Sequence, residues 1–236
     1  MTTPGRTPAA GRRRRRTQSG TELSKDLYVD AAVNLIEQRG ADVLSARTLA
    51  SAVGADASAL YRYFDGVDDV LLAVADRMIG IALDRWTPVD DWLISLRDLA
   101  RSLYTVYAQE FPRTGIAIAS RTTGLPNEIR AVEVTLALLR KGGFDDESAA
   151  RCFRSLSDFL LGQAMLTGAF SALPVDTQRA DDGAWRELPE RIPAGAAPHT
   201  EAAAHYLSVA MTDDSFDASL ELVMRGLAAT PRQATG

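Results

Sequence analysis

The sequence predicts an all-α fold, in which a three-helix head containing a helix-turn-helix precedes a larger helical body. Two observations lead to this fold. Apolar residues recur three or four positions apart in most segments between residues 25 and 229, which is the spacing of one helix face. The stretch Leu44–Phe64 has the layout of a helix, a glycine turn and a second helix.

The charge distribution divides the chain into two parts. A net charge of −5 counts against a nucleic-acid partner when it is taken alone. Residues 1–66, however, hold ten Lys and Arg against seven Asp and Glu, a net of +3, whereas residues 67–236 carry a net of −8. The head is therefore the part suited to bind phosphates.

The chain begins with a basic arm. Residues 1–20 are rich in Thr, Pro, Gly and Ala and too polar to bury a core, which predicts disorder. Flexible basic arms of helix-turn-helix proteins reach into an adjacent minor groove, and we predict that contact here. The alternative is a solvated charge run that only aids solubility. The arginines concerned are Arg12, Arg13, Arg14, Arg15 and Arg16.

The first head helix is predicted from Lys25 to Arg39, where Gly40 closes it. Its apolar stripe of Leu27, Ala31 and Leu35 is predicted to pack over the helix-turn-helix.

Capping residues define the helix-turn-helix itself. Ser45 is placed to cap its first helix with the hydroxyl group. Gly54 is predicted to end that helix with a positive φ, and Asp56 to accept N–H groups that open the second helix. The buried face of the first helix is predicted to comprise Leu49, Ala50 and Val53.

The second helix has two different faces. Leu60 and Phe64 are four residues apart and point one way, whereas Ser58, Tyr61 and Arg62 share the opposite face. A hydroxyl, a phenol and a guanidinium offer the donors that base edges and phosphates accept, so this face is predicted to read DNA. The alternative is an ordinary surface helix of a helical hairpin.

The segment Thr21–Leu72 contains two motifs that are typical of a known family. They are Leu27-x-x-x-Ala31-Ala32-x-x-Leu35-Ile36-x-x-x-Gly40 and Leu60-Tyr-Arg-Tyr-Phe64. The segment resembles the N-terminal domain of the tetracycline-repressor (TetR-like) family. The resemblance implies a DNA-binding head on a dimeric, ligand-binding body, with transcription repressed until a small molecule binds. It also implies a groove contact for Arg47, whereas Val67 stands where the family often has a phosphate-binding lysine. The predicted DNA contacts of the head are Ser45, Arg47, Ala57, Ser58, Tyr61, Arg62 and Tyr63.

The domain boundaries are predicted as 21–66 for the helix-turn-helix domain, 67–230 for the body and 231–236 for a tail. Within the body, residues 172–197 contain three prolines and many charges, which predicts a long loop. The predicted body helices are Asp68–Arg85, Asp90–Glu110, Thr114–Thr122, Asn127–Lys141, 145–171, His199–Met211 and Asp214–Ala229.

Two body helices, 145–171 and 214–229, are apolar on more than one face. We predict that they pair with a second copy across a two-fold axis, an arrangement that the resemblance also implies, and that the homodimer reads two half-sites. The alternative is a larger monomeric core.

A ligand pocket is predicted between the body helices, with apolar walls and a few polar groups that orient a ligand. Short motifs such as Arg140-Lys-Gly-Gly-Phe144 resemble the body of the tetracycline-binding branch, in which a histidine and a carboxylate serve the magnesium-bound drug. Ala117 and Leu166 stand in their places here, which counts against a magnesium-bound drug held in that mode, although Ser120 and Arg121 still match. The two histidines, His199 and His205, are six residues apart and lie on different helix faces, so we predict no metal and no cofactor. The predicted ligand-binding residues are Leu103, Tyr107, Ile116, Ser120, Arg121, Thr135, Leu138, Phe159 and Gln163.

Other classes of protein find little support in the sequence. No run of about 18 apolar residues predicts a membrane span, and Thr17-Gln18-Ser19-Gly20 follows the arginines where an export signal would turn apolar. We therefore expect a cytoplasmic protein. Cys152 is the only cysteine, which excludes an internal disulfide, and no paired base and nucleophile or phosphate loop indicates an enzyme.

The sequence thus predicts a ligand-responsive repressor that binds a palindromic double-stranded DNA operator as a homodimer and is released by a small apolar effector. The alternatives are an activator or constitutive regulator without ligand response, a helical ligand-binding enzyme, or a helical partner-binding protein whose head does not bind DNA.

Overall fold

The computed structural model describes residues 22–193, 195–211 and 215–230. In these residues the secondary structure is helical and contains no β-strand, so the all-α prediction is confirmed. The predicted arm with Arg12–Arg16 and the predicted tail 231–236 lie outside the described residues.

The head is built from short helices that α3 joins to the body. Its elements are α1 (Lys25–Arg39), α2 (Ala46–Ala52), a six-residue 3-10 helix that we call the reading segment (Ala57–Arg62), and α3 (Val67–Arg85).

The body follows as a bundle of antiparallel and crossing helices. Its elements are α4 (Trp92–Tyr104), a π-helical turn (Thr105–Glu110), α5 (Pro112–Ile118), α6 (Pro126–Lys141), α7 (Asp146–Ser171), α8 (Val175–Arg186), α9 (Leu188–Arg191), α10 (Pro198–Ala210) and α11 (Phe216–Ala229). Leu96, Leu99 and Leu103 of α4 have the spacing on which the predicted helix Asp90–Glu110 was based.

The buried face of α1 differs from the predicted one. Tyr28, Ala32 and Ile36 are fully buried, whereas the predicted stripe of Leu27, Ala31 and Leu35 is only partly buried at its edge. Apolar residues surround most of α1, so their spacing does not single out one face, and packing against α3 decides it.

Helix α3 is attached to both parts of the chain. Towards the head, Arg77 pairs with Asp26 and Asp30 of α1. Towards the body, Asp76 Oδ1 accepts hydrogen bonds from the backbone nitrogens of Asn127 (2.9 Å) and Glu128 (3.0 Å). These are first-turn N–H groups of α6, which lack partners inside their own helix. Asp76 therefore caps α6 from a neighbouring helix.

The predicted helix 90–110 is α-helical only as far as Tyr104, and its last turn is a π-helix. Directly behind that turn α5 approaches so closely that a Cβ atom on Gly115 would lie 2.1 Å from the carbonyl oxygen of Tyr107. Only glycine permits this approach. Pro112, two residues after the predicted end of the long helix at Glu110, opens α5 as its first residue.

The predicted loop 172–197 is wrong for most of its length. Residues Val175–Arg186 and Leu188–Arg191 form α8 and α9. The prolines that suggested a loop occupy helix starts instead: Pro174 is the N-cap of α8 and Pro189 lies in the first turn of α9, where a missing N–H costs nothing. Helices α8, α9 and α10 pack mainly against one another.

No single helix among the described residues is long and apolar enough to cross a bilayer, although α7 and α8, which meet at 113°, have sufficient length and apolar composition as a bent pair.

Candidate DNA-reading head and ligand cavity

A reciprocal capping box starts α2. The Ser45 hydroxyl accepts a hydrogen bond from the backbone nitrogen of Thr48 at 3.1 Å, and the Thr48 hydroxyl accepts one from the backbone nitrogen of Ser45 at 2.9 Å. Ser45 therefore has the predicted capping role, and its hydroxyl is already engaged within the head.

The turn after α2 follows the prediction at Gly54 and departs from it at Asp56. Gly54 has φ +65°, the positive value that favours glycine. The Asp56 side chain makes no capping hydrogen bond, so the predicted cap is wrong. Instead the Asp56 carbonyl accepts from the Ala59 nitrogen at 2.8 Å, because the reading segment is a tight 3-10 helix rather than an α-helix.

The reading segment buries one side and exposes the other. Leu60 and Phe64 are buried in the head core, as their spacing predicted. Tyr61 leaves 61% of its surface exposed. The other exposed residues of the predicted DNA face are Arg47, Ala57, Ser58 and Arg62. Most of the predicted contacts in the head are thus accessible to solvent.

Tyr63 is placed differently. Its hydroxyl donates to the carbonyl oxygen of Leu23 at 2.8 Å, and its ring centroid lies 5.7 Å from that of the buried Tyr28. Burial, together with the neighbouring Tyr63, raises the pKa of Tyr28. Tyr63 therefore ties the segment before α1 to the reading segment, and this placement does not support a DNA contact through its hydroxyl.

A cavity of about 770 Å³ lies in the body between α3, α4, α5, α6 and α7. Five predicted ligand-binding residues line it: Leu103, Tyr107, Ser120, Arg121 and Thr135. Burial of the phenol raises the pKa of Tyr107, as do the nearby carboxylates of Glu128 and Asp76, so its hydroxyl stays neutral at physiological pH and offers a donor as well as an acceptor.

The other four predicted ligand-binding residues are not on the cavity wall. Phe159 of α7 stacks towards Phe216 of α11, with centroids 5.9 Å apart. Ile116 lies against Gly168, and Leu138 is buried in the core. Helix phase explains the error for Phe159 and Gln163, because the face of α7 that lines the cavity carries Phe153, Leu156, Ser157, Leu160 and Leu161.

Several apolar residues that line the cavity were not predicted from the sequence. They include Ile79 of α3 and Leu96, Leu99 and Ala100 of α4. The spacing of Leu96, Leu99 and Leu103 predicted a helix face, but the pattern does not say whether such a face meets a core or a cavity.

Charged groups on the cavity wall have partners within the protein. Arg121 Nη1 donates to Asp68 Oδ1 at 3.3 Å, and Arg154 Nε donates to Asp158 Oδ2 at 2.7 Å. Glu128 Oε2 accepts from the backbone nitrogen (2.7 Å) and the hydroxyl (2.8 Å) of Thr123. Glu128 thereby fixes the loop between α5 and α6 that carries Arg121.

The cavity is connected to the head through α5. Ile118, at the end of α5, lines the cavity together with Ala119 just beyond it. At the beginning of the same helix, the Thr114 nitrogen donates to Glu37 Oε1 of α1 at 2.7 Å. Arg113 Nη1 also donates to the carbonyl oxygen of Gln38 at 3.3 Å. One short helix therefore touches the cavity at one end and the head at the other.

The magnesium-holding residues of the tetracycline branch are not reproduced. Ala117 offers no side-chain donor atom, and Leu166 is 70% exposed on α7 and does not line the cavity. Within residues 22–193, 195–211 and 215–230, no three His, Cys, Asp or Glu side chains are grouped to hold a metal ion. The residues present therefore do not fit a magnesium ion bound in that manner.

An exposed helix-turn-helix face on a helical body that encloses a cavity defines a DNA-binding transcriptional regulator. The family model for bacterial regulatory proteins of the tetR family matches residues 29–74, and that for the tetracyclin repressor-like C-terminal domain matches residues 87–230. The chain therefore belongs to the TetR family of transcriptional regulators, a family of regulators and not of enzymes.

Individual relatives agree along most of the chain. The tetracycline repressor protein class A from transposon 1721 of Escherichia coli is 26% identical over 88% of this chain and 92% of its own. The Streptomyces coelicolor TetR family protein ActR in complex with actinorhodin is 25% identical, with a TM-score of 0.74 over 88% of this chain and 96% of its own. A possible TetR family regulator from the same organism is 29% identical, with a TM-score of 0.71 over 87% and 99% of the two chains.

Proposed function

We propose that this chain is a ligand-responsive repressor, which binds a partly palindromic operator as a homodimer and releases it when a small apolar molecule occupies the cavity. The observation that carries the proposal is the double contact of α5, with the cavity at Ala119 and with the head at Glu37. A ligand that favours a different position of α5 would shift the equilibrium of the head by its difference in affinity for the two states.

The cavity supports an apolar effector of several rings. Its volume of about 770 Å³ is within the range of drug-sized sites, and most of its lining residues are apolar: leucine, isoleucine, alanine, valine and phenylalanine. Ser120, Thr135 and Tyr107 supply a few polar groups that would orient such a molecule. One relative is named for tetracycline, and another was solved in complex with actinorhodin. Both support an effector of similar size for this cavity.

Exposed apolar residues on α7 and α11 support the homodimer. Leu166 of α7 and Leu222 of α11 are each 70% exposed, and Phe170 of α7 is 38% exposed. Pairing the two helices with those of a second copy would remove this surface from water. We expect Leu166→Glu to shift the protein to monomers in sedimentation experiments, whereas Val89→Glu, at an exposed position in the loop between α3 and α4, should leave the dimer intact.

Selection of genomic DNA fragments by the purified protein tests the proposal. Recovery of a reproducible inverted repeat is expected, and failure to enrich any half-site would contradict DNA recognition. Transcription in vitro from a promoter carrying that repeat then separates the roles: a repressor lowers transcript, whereas an activator raises it. Addition of tetracycline or actinorhodin as probes, followed by larger multi-ring panels, tests release. A protein that binds such ligands but keeps its operator would be a constitutive regulator.

A further inference from the structure

One ion pair joins the cavity wall to the head end of α3. Arg121 lies in the loop after α5, lines the cavity and keeps 31% of its side chain exposed. Its Nη1 contacts Asp68 Oδ1 at 3.3 Å, and the Asp68 side chain is 82% exposed. Arg121 therefore belongs to the cavity wall while its carboxylate partner is exposed to solvent.

Asp68 occupies a position next to the DNA-reading surface. It lies in the first turn of α3, four residues after the buried Phe64. The connection between them is short and tight, because the Asp65 nitrogen donates to Asp69 Oδ2 at 3.2 Å. A change in the contacts of Asp68 would therefore affect the connection between the reading segment and α3.

The contact is weak enough for a ligand to displace. It is a single hydrogen bond to an exposed carboxylate, and exposed pairs of this kind stabilise proteins little. An acidic oxygen inside the cavity would meet the same guanidinium in surroundings of lower dielectric, where charge-assisted hydrogen bonds are stronger. The competition would favour the ligand.

The loop around Arg121 is held independently of this pair. Glu128 fixes Thr123 and Gly124, and Asp76 caps the beginning of α6. Loss of the ion pair would therefore leave the loop backbone in place and move mainly the Arg121 side chain.

We propose that the Arg121–Asp68 pair is the contact through which an occupied cavity acts on the head, and that the effector carries an acidic oxygen, a carboxylate or an ionised phenol, which takes Arg121 from Asp68. This inference rests on the proposed ligand-responsive function. Two effects follow from the exchange. The first turn of α3 loses its tie to the cavity loop, and Asp68 regains an unpaired negative charge beside the reading segment, which opposes binding to phosphates.

The test uses full-length protein, the operator selected as above, and two probes that share one ring system and differ in charge: anthraquinone-2-carboxylate and its neutral methyl ester. Calorimetry measures probe binding, and fluorescence polarisation measures operator binding. The variants are Arg121→Gln and Asp68→Asn, with Asp68→Ser as a second substitution at the same exposed position. Arg130→Gln is the matched control. Arg130 of α6 makes a 2.9 Å contact to Asp84, which lies on α3 as Asp68 does, and Arg130 does not line the cavity.

In wild type and in Arg130→Gln, we expect the carboxylate to bind roughly tenfold tighter than the ester or better, and to release the operator. Arg121→Gln should lose that preference. Asp68→Asn and Asp68→Ser should bind the carboxylate at least as well as wild type, since Arg121 is already free, yet their operator affinity should no longer respond to it.

Each contrary result has a distinct meaning. Equal binding of the two probes, or no binding of either, would overturn the acidic effector. If the carboxylate released the operator from the Asp68 variants to the same extent as from wild type, the coupling role of the ion pair would be overturned. Failure of unliganded wild type to hold any selected DNA would instead refute the proposed function itself.

Discussion

Glu37 of α1 accepts a 2.7 Å hydrogen bond from the backbone nitrogen of Thr114, in the first turn of α5. First-turn N–H groups have no partner within their own helix, so a side chain from the head completes the capping of a body helix. Helix α5 is only seven residues long and has no side-chain cap from its own N-cap residue, Phe111. Its position therefore depends on the head.

Removal of this acceptor should loosen the junction between head and body. Glu37→Ala is expected to lower the free energy of unfolding by about 1 kcal/mol, the usual cost of a lost helix cap. Glu37→Gln keeps a carbonyl oxygen at the same place and should lose less. Urea unfolding followed by circular dichroism measures both, and equal stability of Glu37→Ala and wild type would show that the contact does not hold α5.

Arg47 should contribute sequence specificity, because it is exposed beside the reading segment and its guanidinium can grip guanine O6 and N7 together. Arg47→Ala is expected to cost about 1–3 kcal/mol of operator binding and to relax the preference at one operator position. Titrations with the operator and with random DNA distinguish this from a phosphate contact. An equal loss on both DNAs would mean that Arg47 reads no base.

Gly115 should tolerate no side chain. A Cβ atom there would lie 2.1 Å from the Tyr107 carbonyl oxygen, a backbone atom in the π-helical turn that cannot swing aside. Gly115→Ala is therefore expected to destabilise the protein by about 1–3 kcal/mol or more. Gly183→Ala in α8, where a Cβ meets no atom within 4 Å, is the control. The control should be about 0.5–1 kcal/mol more stable than wild type in thermal unfolding, and similar melting of the two variants would contradict this packing.

The arm remains a prediction from sequence, since Arg12–Arg16 lie outside the described residues. Each phosphate that a cation neutralises adds about 0.9 to the slope of log affinity against log salt. Deletion of residues 1–20 should therefore flatten that slope by several units per dimer while preserving most of the half-site preference. Operator titrations of full-length and truncated protein over a salt series provide the measurement, and superimposable slopes would show that the arm does not touch DNA.

The head was largely predictable because local chemistry determines it. A capping serine at Ser45, a glycine with positive φ at Gly54 and an alternation of buried and exposed residues from Leu60 to Phe64 act over a few residues each. The predicted cap at Asp56 and the predicted stripe of α1 were wrong, and so was the placement of Tyr63, whose partner Leu23 is 40 residues away and is indicated by no local pattern.

The body was predictable in its helices but less so in its cavity. Long body helices such as α7 (Asp146–Ser171) follow apolar spacing, whereas the wall of a cavity depends on how several helices rotate against one another. Phe159 illustrates this, because its neighbour in the structure is Phe216 of α11 rather than the space between α4 and α6. Prolines misled the prediction of α8 and α9, because the same residue that breaks a helix interior also favours a helix start.

The attachment of α3 has a mechanical consequence. The body holds this 19-residue helix near its middle at Asp76, which accepts two backbone hydrogen bonds from α6, whereas the only side-chain tie described between the body and its head end is the weak contact at Asp68. Asp68 lies about 12 Å from Asp76 along the axis, so the helix resembles a lever clamped near its middle. A tilt of about ten degrees at the clamp displaces the head end by about 2 Å. In the proposed dimer, the two heads would have to match half-sites about 34 Å apart. Displacements of the two heads in opposite directions would add to each other. The length of α3 therefore determines how large a displacement of the heads a small motion at the cavity produces.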